Sequence, residues 1–339
     1  MPYRLVLLIG VLVGGLFPAG AAKPQDSKVL RVALAGTMER VITRSLGPAF
    51  EIETGYTLDV TRQPSIALAN RIVSGELKPD VYISSDADVM ELVMGSANND
   101  RARWYLPLLR SRTVIMHGTQ SRFNKDIDAV REGRLQWYEL MQRPGLVLKR
   151  PNPVVDSGGY RAIFVFDLAE RHYKLPGLKQ RVLGDDHNEA QYFDRTKMFP
   201  LIRDGSIDVF LTYITNPLVE GFPFLDLPEE VDQSNPSMQK WYETASYTNP
   251  RSQTFRGAPA AYAVTIPVAA ADPMGAEAFV RLLLSDKGIT MFERAGFHRF
   301  DEFRISRCGR PGGSARVDPT LGQPLICTLD KPRQRQGPE

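Results

Sequence analysis

Short β-prone apolar runs alternate with amphipathic helical stretches along this chain, and no other feature constrains its architecture as much. Residues 29–35 (Val-Leu-Arg-Val-Ala-Leu-Ala) read as a strand, Gly36-Thr37 breaks it, and residues 38–50 place Val41, Ile42, Leu46 and Phe50 on one helical face. A strand at 58–60, a helix at 67–75, a strand at 80–83 and a helix at 86–94, with Val89, Met90 and Val93 on one side, continue the pattern. A second block follows at 146–148, 159–173, 198–203 and 208–213. Such alternation predicts an α/β protein of two lobes, each a mixed, mainly parallel sheet flanked by helices. The apolar runs 112–117 and 261–266 each close one block and open another, so they are expected to cross between the lobes. The expected division is residues 28–111 plus 261–304 for the first lobe, 112–260 for the second, and 305–339 as an extension rich in Pro, Gly and Arg.

The beginning of the chain points to export. Arg4 precedes thirteen apolar or glycine residues, and Pro18-Ala19-Gly20-Ala21-Ala22 supplies a small-residue cleavage site, which predicts a signal peptide over residues 1–22. Thirteen residues fall short of the roughly 20 that span a bilayer, and no later run is longer, so the mature chain is expected not to span a membrane and to be periplasmic. In an exported protein an isolated cysteine pair usually oxidises, and Cys308 and Cys327 are therefore expected to form a disulfide. A formal net charge of +3 and the lack of any basic run with interleaved aromatics give no case for nucleic acid.

Motifs for catalysis are missing. The chain has no Gly-x-Ser-x-Gly elbow, no phosphate-binding Walker loop and no His-Glu-x-x-His, and its four histidines, His117, His172, His187 and His298, are scattered. Asp185-Asp186-His187-Asn188-Glu189 reads as a charged loop, since no second cluster completes a metal site. Neither enzyme chemistry nor a cofactor is expected. Binding is better supported, because ligands of open α/β sheets sit beyond the carboxyl ends of the strands, where helices start with unpaired N–H groups. Gly36-Thr37, Pro64-Ser65, Ser84-Ser85 and Ser157-Gly158-Gly159 fall at such starts. Each alone reads equally as an ordinary helix cap.

Arg103-Trp104-Tyr105-Leu106-Pro107, Val114-Ile115-Met116, Trp137-Tyr138-Glu139 and the run from Pro151 to Arg161 (Pro-Asn-Pro-Val-Val-Asp-Ser-Gly-Gly-Tyr-Arg) carry a family signature. In order and spacing they resemble the archaeal-type tungstate/molybdate-binding proteins of ABC importers over roughly residues 29–300. The segment Ala261–Pro267, with Asp272-Pro273 and Ala295-Gly296-Phe297 after it, resembles the closing stretch of extracellular solute-binding proteins. The resemblance implies a type II periplasmic binding fold, a small oxyanion as ligand, an ABC permease as partner and a monomeric state. Its implied ligand residues are Thr37, Ser65, Ser85, Asp156, Ser157, Gly158, Tyr160, Thr212 and Tyr213, with Asp156 a direct ligand of the molybdenum or tungsten centre. One departure stands out: the family's second carboxylate, a Glu before a Tyr, is replaced by Thr212 before Tyr213. A tetrahedral anion held by neutral donors, ferric ion held by Tyr160 and Tyr213, and an organic acid stay open as solutes. An exported enzyme on the same scaffold is the reading from another class.

Overall fold

The computed structural model describes residues 28–306 and 314–317. The expected signal peptide and the Cys308–Cys327 disulfide lie outside the described residues. The strands, in chain order, are β1 (Lys28–Ala35), β2 (Tyr56–Gln63), β3 (Val81–Ser84), β4 (Leu106–Arg110), β5 (Thr113–His117), β6 (Leu148–Lys149), β7 (Val209–Tyr213), β8 (Phe224–Leu225), β9 (Ser246–Thr248), β10 (Thr254–Arg256), β11 (Ala261–Thr265), β12 (His298–Arg299), β13 (Phe303–Ser306) and β14 (Ser314–Val317). They form a six-stranded sheet in the order β12-β4-β11-β3-β1-β2, a four-stranded sheet in the order β6-β7-β5-β8, and two short hairpin-like pairs.

The first three strands are parallel, as their intervening helices require, with Leu30 opposite Leu58 and Leu34 opposite Ile83. β11 returns from far along the chain and runs antiparallel between β3 and β4. In the smaller sheet β5 and β7 are antiparallel, while β6 lies parallel to β7. Both sheets are thus mixed, with helices against them, in the α/β class.

The local chemistry of the first helical segment shapes it. Pro48 has no N–H to give to the carbonyl of Arg44, and the turn Ile42–Leu46 widens to a π geometry before the helix Gly47–Thr54 resumes. The helix expected over 86–94 is a 3₁₀ stretch, Asp88–Val93; Val89, Met90 and Val93 still point inward, but the chain turns extended at Met94 to bridge Ala102, which leaves no room for another turn. Near the end, Asp272 caps the helix Pro273–Leu284 and Ser285 caps Asp286–Arg294, each accepting a backbone N–H with its side chain.

Within the described residues the chain passes between the two sheets twice. The runs expected to cross are themselves strands, β5 and β11, each confined to one sheet; the passages are the short links Ser111-Arg112 before β5 and residues 257–260 before β11. The links lie side by side, the Ser111 N–H donating to the Ala260 carbonyl at 2.9 Å. One apolar core lies under the larger sheet around Leu30, Leu34, Ile83, Phe279 and Leu283. Another runs across from Ile66 and Tyr82 to Phe164, Phe166 and Leu211, so both sheets share buried apolar contacts.

Candidate functional site

The loops after β1, β2 and β3 converge on the start of the long helix Ser157–Tyr173 and on the end of β7. Between them lies a cavity of about 490 Å³. From the larger sheet it is lined by Gly36, Thr37, Pro64, Ser65 and Ser85; the facing wall carries Asp156, Gly158, Thr212 and Tyr213. Seven of the nine residues expected to bind a ligand therefore border one space. Ser157 lies directly behind its surface, wholly buried, with its hydroxyl 2.9 Å from that of Ser85. Tyr160 is elsewhere: its ring stacks on Phe255 with centroids 4.5 Å apart, and its hydroxyl donates to Asp86 Oδ2 at 2.7 Å. A residue three positions into the helix projects away from the helix start, which removes Tyr160 from the cavity wall.

Hydroxyls dominate the polar contacts of the site. Ser65 and Ser85 hydroxyls are 2.9 Å apart, and the Ser85 backbone N–H donates to Ser65 Oγ at 3.0 Å. The Tyr213 hydroxyl donates to Ser157 Oγ at 3.0 Å. Tyr262, on β11, donates to Thr37 Oγ1 at 3.0 Å and also bonds Thr215 at 3.0 Å. The side-chain amide of Asn216 donates to Thr212. Asp156 is the N-cap of the long helix, its Oδ1 accepting the Gly158 N–H at 2.9 Å. The helix start is wedged so tightly that a Cβ on Gly159 would fall 2.4 Å from Pro153 N and 2.6 Å from the Pro151 carbonyl. Only glycine fits.

Behind the cavity stands a buried charge pair that sequence reading left out of the site. Arg161 donates to Asp86 through Nε at 2.6 Å and Nη2 at 2.9 Å, and to Gln233 at 2.9 Å; both charged side chains are 1% exposed. Burial alone would depress the Arg161 pKa, but the Asp86 charge and its hydrogen bonds overrule it and raise the pKa above its usual value. Burial, reinforced by Asp86, holds the phenols of Tyr160 and Tyr213 well above the ordinary tyrosine value. Both stay neutral donors.

The structure adds further residues to the wall that were not among the expected ligand residues. Arg62, at the end of β2, reaches the cavity and pairs with Glu39 at 2.7 Å. A smaller space of about 260 Å³ shares Thr37, Arg62 and Asn216 with it and is bordered by Arg40 and Arg44 together with Glu39 and Glu220, so the flank of the site is charged, with Arg40 paired to Glu220 and Arg62 to Glu39. Asn152, Tyr192 and Asp194 complete the far side. Asn152 stands within the quoted Pro151–Arg161 run, whereas Arg62 and Asp194 lie in ordinary polar sequence. Among the described residues no group of three or more His, Cys, Asp or Glu side chains is placed to hold a metal ion.

Comparison with known proteins agrees with this geometry. A family model described as bacterial extracellular solute-binding protein matches residues 30–298. A putative ABC transporter molybdenum-binding protein of Haloferax volcanii is 24% identical over 258 residues, covering 76% of this chain and 79% of its own length. The periplasmic molybdate-binding protein of Azotobacter vinelandii superposes with a TM-score of 0.54 at 14% identity, covering 79% of this chain and 98% of that one. The sulfate-binding protein SubI of Mycobacterium tuberculosis does so with a TM-score of 0.55 at 12% identity, covering 81% and 88%. At these identities the two structures establish the shared fold.

Proposed function

Because the chain belongs to the bacterial extracellular solute-binding protein family, we propose that it binds a small oxyanion of the molybdate or tungstate kind between two lobes and delivers it to an ABC permease. The observation that carries the reading is the convergence on one cavity of hydroxyls from both sides, Thr37, Ser65 and Ser85 against Thr212 and Tyr213, with the start of the long helix at Gly158. Helix starts and hydroxyls give hydrogen bonds without a countercharge, the usual way a protein holds an anion in a dry site. The relative from Haloferax volcanii, named as molybdenum-binding, supports the choice of metal oxyanion. Asp156 on the same wall favours an anion whose central atom accepts a further ligand, since a carboxylate repels sulfate.

In this reading lobe 1 comprises residues 28–111 and 261–304 and lobe 2 residues 112–260, with the paired links at Ser111-Arg112 and 257–260 as the hinge. The mature protein is monomeric, periplasmic after removal of residues 1–22, and releases its ligand unchanged, without catalysis. Among the described residues no helix is long and apolar enough to cross a membrane. Ferric ion is disfavoured, because Tyr160, one of the two phenols it would need, lies off the cavity wall with its ring on Phe255 and its hydroxyl on Asp86.

A thermal-shift screen against molybdate, tungstate, sulfate, phosphate and ferric citrate tests the reading. A ligand at 100 times its dissociation constant adds about 2.7 kcal/mol of stability. Stabilisation by molybdate or tungstate is expected; a response to ferric citrate alone, with none to any tetrahedral anion, would overturn it.

A further inference from the structure

We propose that the cavity takes its metal oxyanion together with a small organic chelator, a catecholate or similar vicinal diol bound to molybdenum or tungsten through two oxygens, and that the far side around Tyr192 and Phe193 is the subsite for the organic part. The inference rests on the oxyanion reading and names the form in which the oxyanion is carried. The cavity holds about 490 Å³. A water takes about 30 Å³ of liquid, so the five heavy atoms of a tetrahedral oxyanion fill at most about 150 Å³, under a third of that space. Spaces of roughly 300–1,000 Å³ are the ones that enclose organic ligands.

Closure of the two sides does not remove the excess, because they are already joined around the cavity. The Ala67 N–H donates to the Val155 carbonyl at 3.2 Å, and the Ser85 and Ser157 hydroxyls are 2.9 Å apart. Thr215 and Tyr262 bond at 3.0 Å, and Arg40 reaches across to the Val219 carbonyl at 2.6 Å. Behind the cavity the buried Asp86–Arg161 pair bridges the same two sides. Groups already at hydrogen-bond distance cannot approach further, so a bare tetrahedral anion leaves most of this space unfilled.

The lining fits a ligand of two parts. Beyond the hydroxyls and the helix start, the wall carries the aromatic residues Tyr192 and Phe193 together with Gln63 and Asn152. Gln63 spends its side-chain oxygen on Arg71 at 2.9 Å and Asn152 spends its own on the Val154 N–H at 2.9 Å, so among the described residues both keep their amide N–H groups for a ligand. Aromatic side chains beside spare amide donors suit a flat organic group that carries oxygens. The coordination chemistry agrees. When one catechol condenses with molybdate, its two protons leave with one oxo oxygen as water and its two oxygens bind the metal; the charge stays at −2, no electron moves, and molybdenum has five oxygens around it. Asp156, on the cavity wall, supplies the sixth.

Titration calorimetry with molybdate, catechol, molybdate in excess catechol, and phenyl phosphate tests the proposal. The wild type is expected to bind the molybdate–catechol complex at least about tenfold more tightly than molybdate alone, the scale of one added hydrogen bond or ring contact, and catechol alone not at all. Phe193→Ala should bring the ratio of the two molybdate affinities close to one. Gln63→Met removes the amide donors at nearly constant length and should narrow the same ratio, which keeps the test open if Phe193→Ala folds poorly. Gel filtration gives a second readout, since the catecholate-to-molybdenum charge-transfer band is expected to elute with the protein; a band confined to the small-molecule fraction overturns the proposal. Equal affinity with and without catechol, or tighter binding of bare molybdate, overturns it as well and leaves the oxyanion reading standing. Binding of phenyl phosphate with none of molybdate in either form overturns both, so the two failures are told apart.

Discussion

Asp156 is the residue on which the identity of the ligand turns. It lines the cavity and at the same time caps the long helix through the Gly158 N–H at 2.9 Å. Asn ranks with Asp as an N-cap, so Asp156→Asn removes the charge and leaves the cap. If the carboxylate ligates a metal centre, molybdate and tungstate affinity falls about five- to a hundred-fold, the worth of a lost charged partner. Sulfate, which cannot take a ligand and feels only repulsion, binds more tightly in the variant. Calorimetry on both anions checks this, and a change of the same sign for both would remove direct coordination from the account. Residues of this kind were legible in the sequence because a hydroxyl or carboxylate at a helix start has a local signature. Asp86 and Arg161 were not, since two charges 75 positions apart become a buried pair only when the fold brings them together. Tyr160 shows the opposite error: its place in the motif was readable, but the turn of the helix that aims it at Asp86 was not.

At the scale of the element, the start of the helix Ser157–Tyr173 is shaped by backbone clearance more than by propensity. Gly→Ala in a helix normally gains up to about 1 kcal/mol. At Gly159 the added Cβ would sit 2.4 Å from Pro153 N and 2.6 Å from the Pro151 carbonyl, both backbone, so the loop 151–153 must move. Gly159→Ala is therefore expected to destabilise the protein by about 1 to 3 kcal/mol and to weaken ligand binding, because the same shift displaces Asp156 and Gly158. At Gly158 the nearest atom is the Pro151 ring carbon at 3.2 Å, and Gly158→Ala should cost less. Urea unfolding of both variants checks the order. Strand and helix positions were largely readable from periodicity, and the departures have local causes. The missing N–H of Pro48 opens a π turn, and the short span before the Met94–Ala102 bridge tightens the expected helix at 86–94 into a 3₁₀ stretch. Sequence alternation also could not show that β11 runs antiparallel between β3 and β4, because strand direction there depends on two passages between sheets.

For the molecule as a whole, the same buried charges that join the two sides make stability depend on pH, and Asp88 is where this is measurable. It follows the loop after β3, and its Oδ2 accepts the backbone N–H of Arg256 at the end of β10, 3.1 Å away. Burial, with the neighbouring Asp86 charge added, pushes its pKa up to about 7; Arg161 and the Arg256 N–H pull the other way, and Glu91 adds to the rise. The native state then holds a proton that the unfolded chain releases near pH 4, so stability falls as pH rises between about 4 and 7 and is flat through this group above that window. Asp88→Asn keeps an acceptor for Arg256 and removes the ionisation. The variant should match the wild type near pH 4 and exceed it by on the order of 1 to 3 kcal/mol at pH 8. Asp167 and Asp232, also raised by burial, slope the baseline in the same direction, which is why the difference between variant and wild type, and not the wild-type curve alone, isolates Asp88. Chemical denaturation at several pH values gives that difference. A constant gap across the range would place the Asp88 carboxylate in water and dissolve the link between its burial and the contact that β10 makes with the loop after β3.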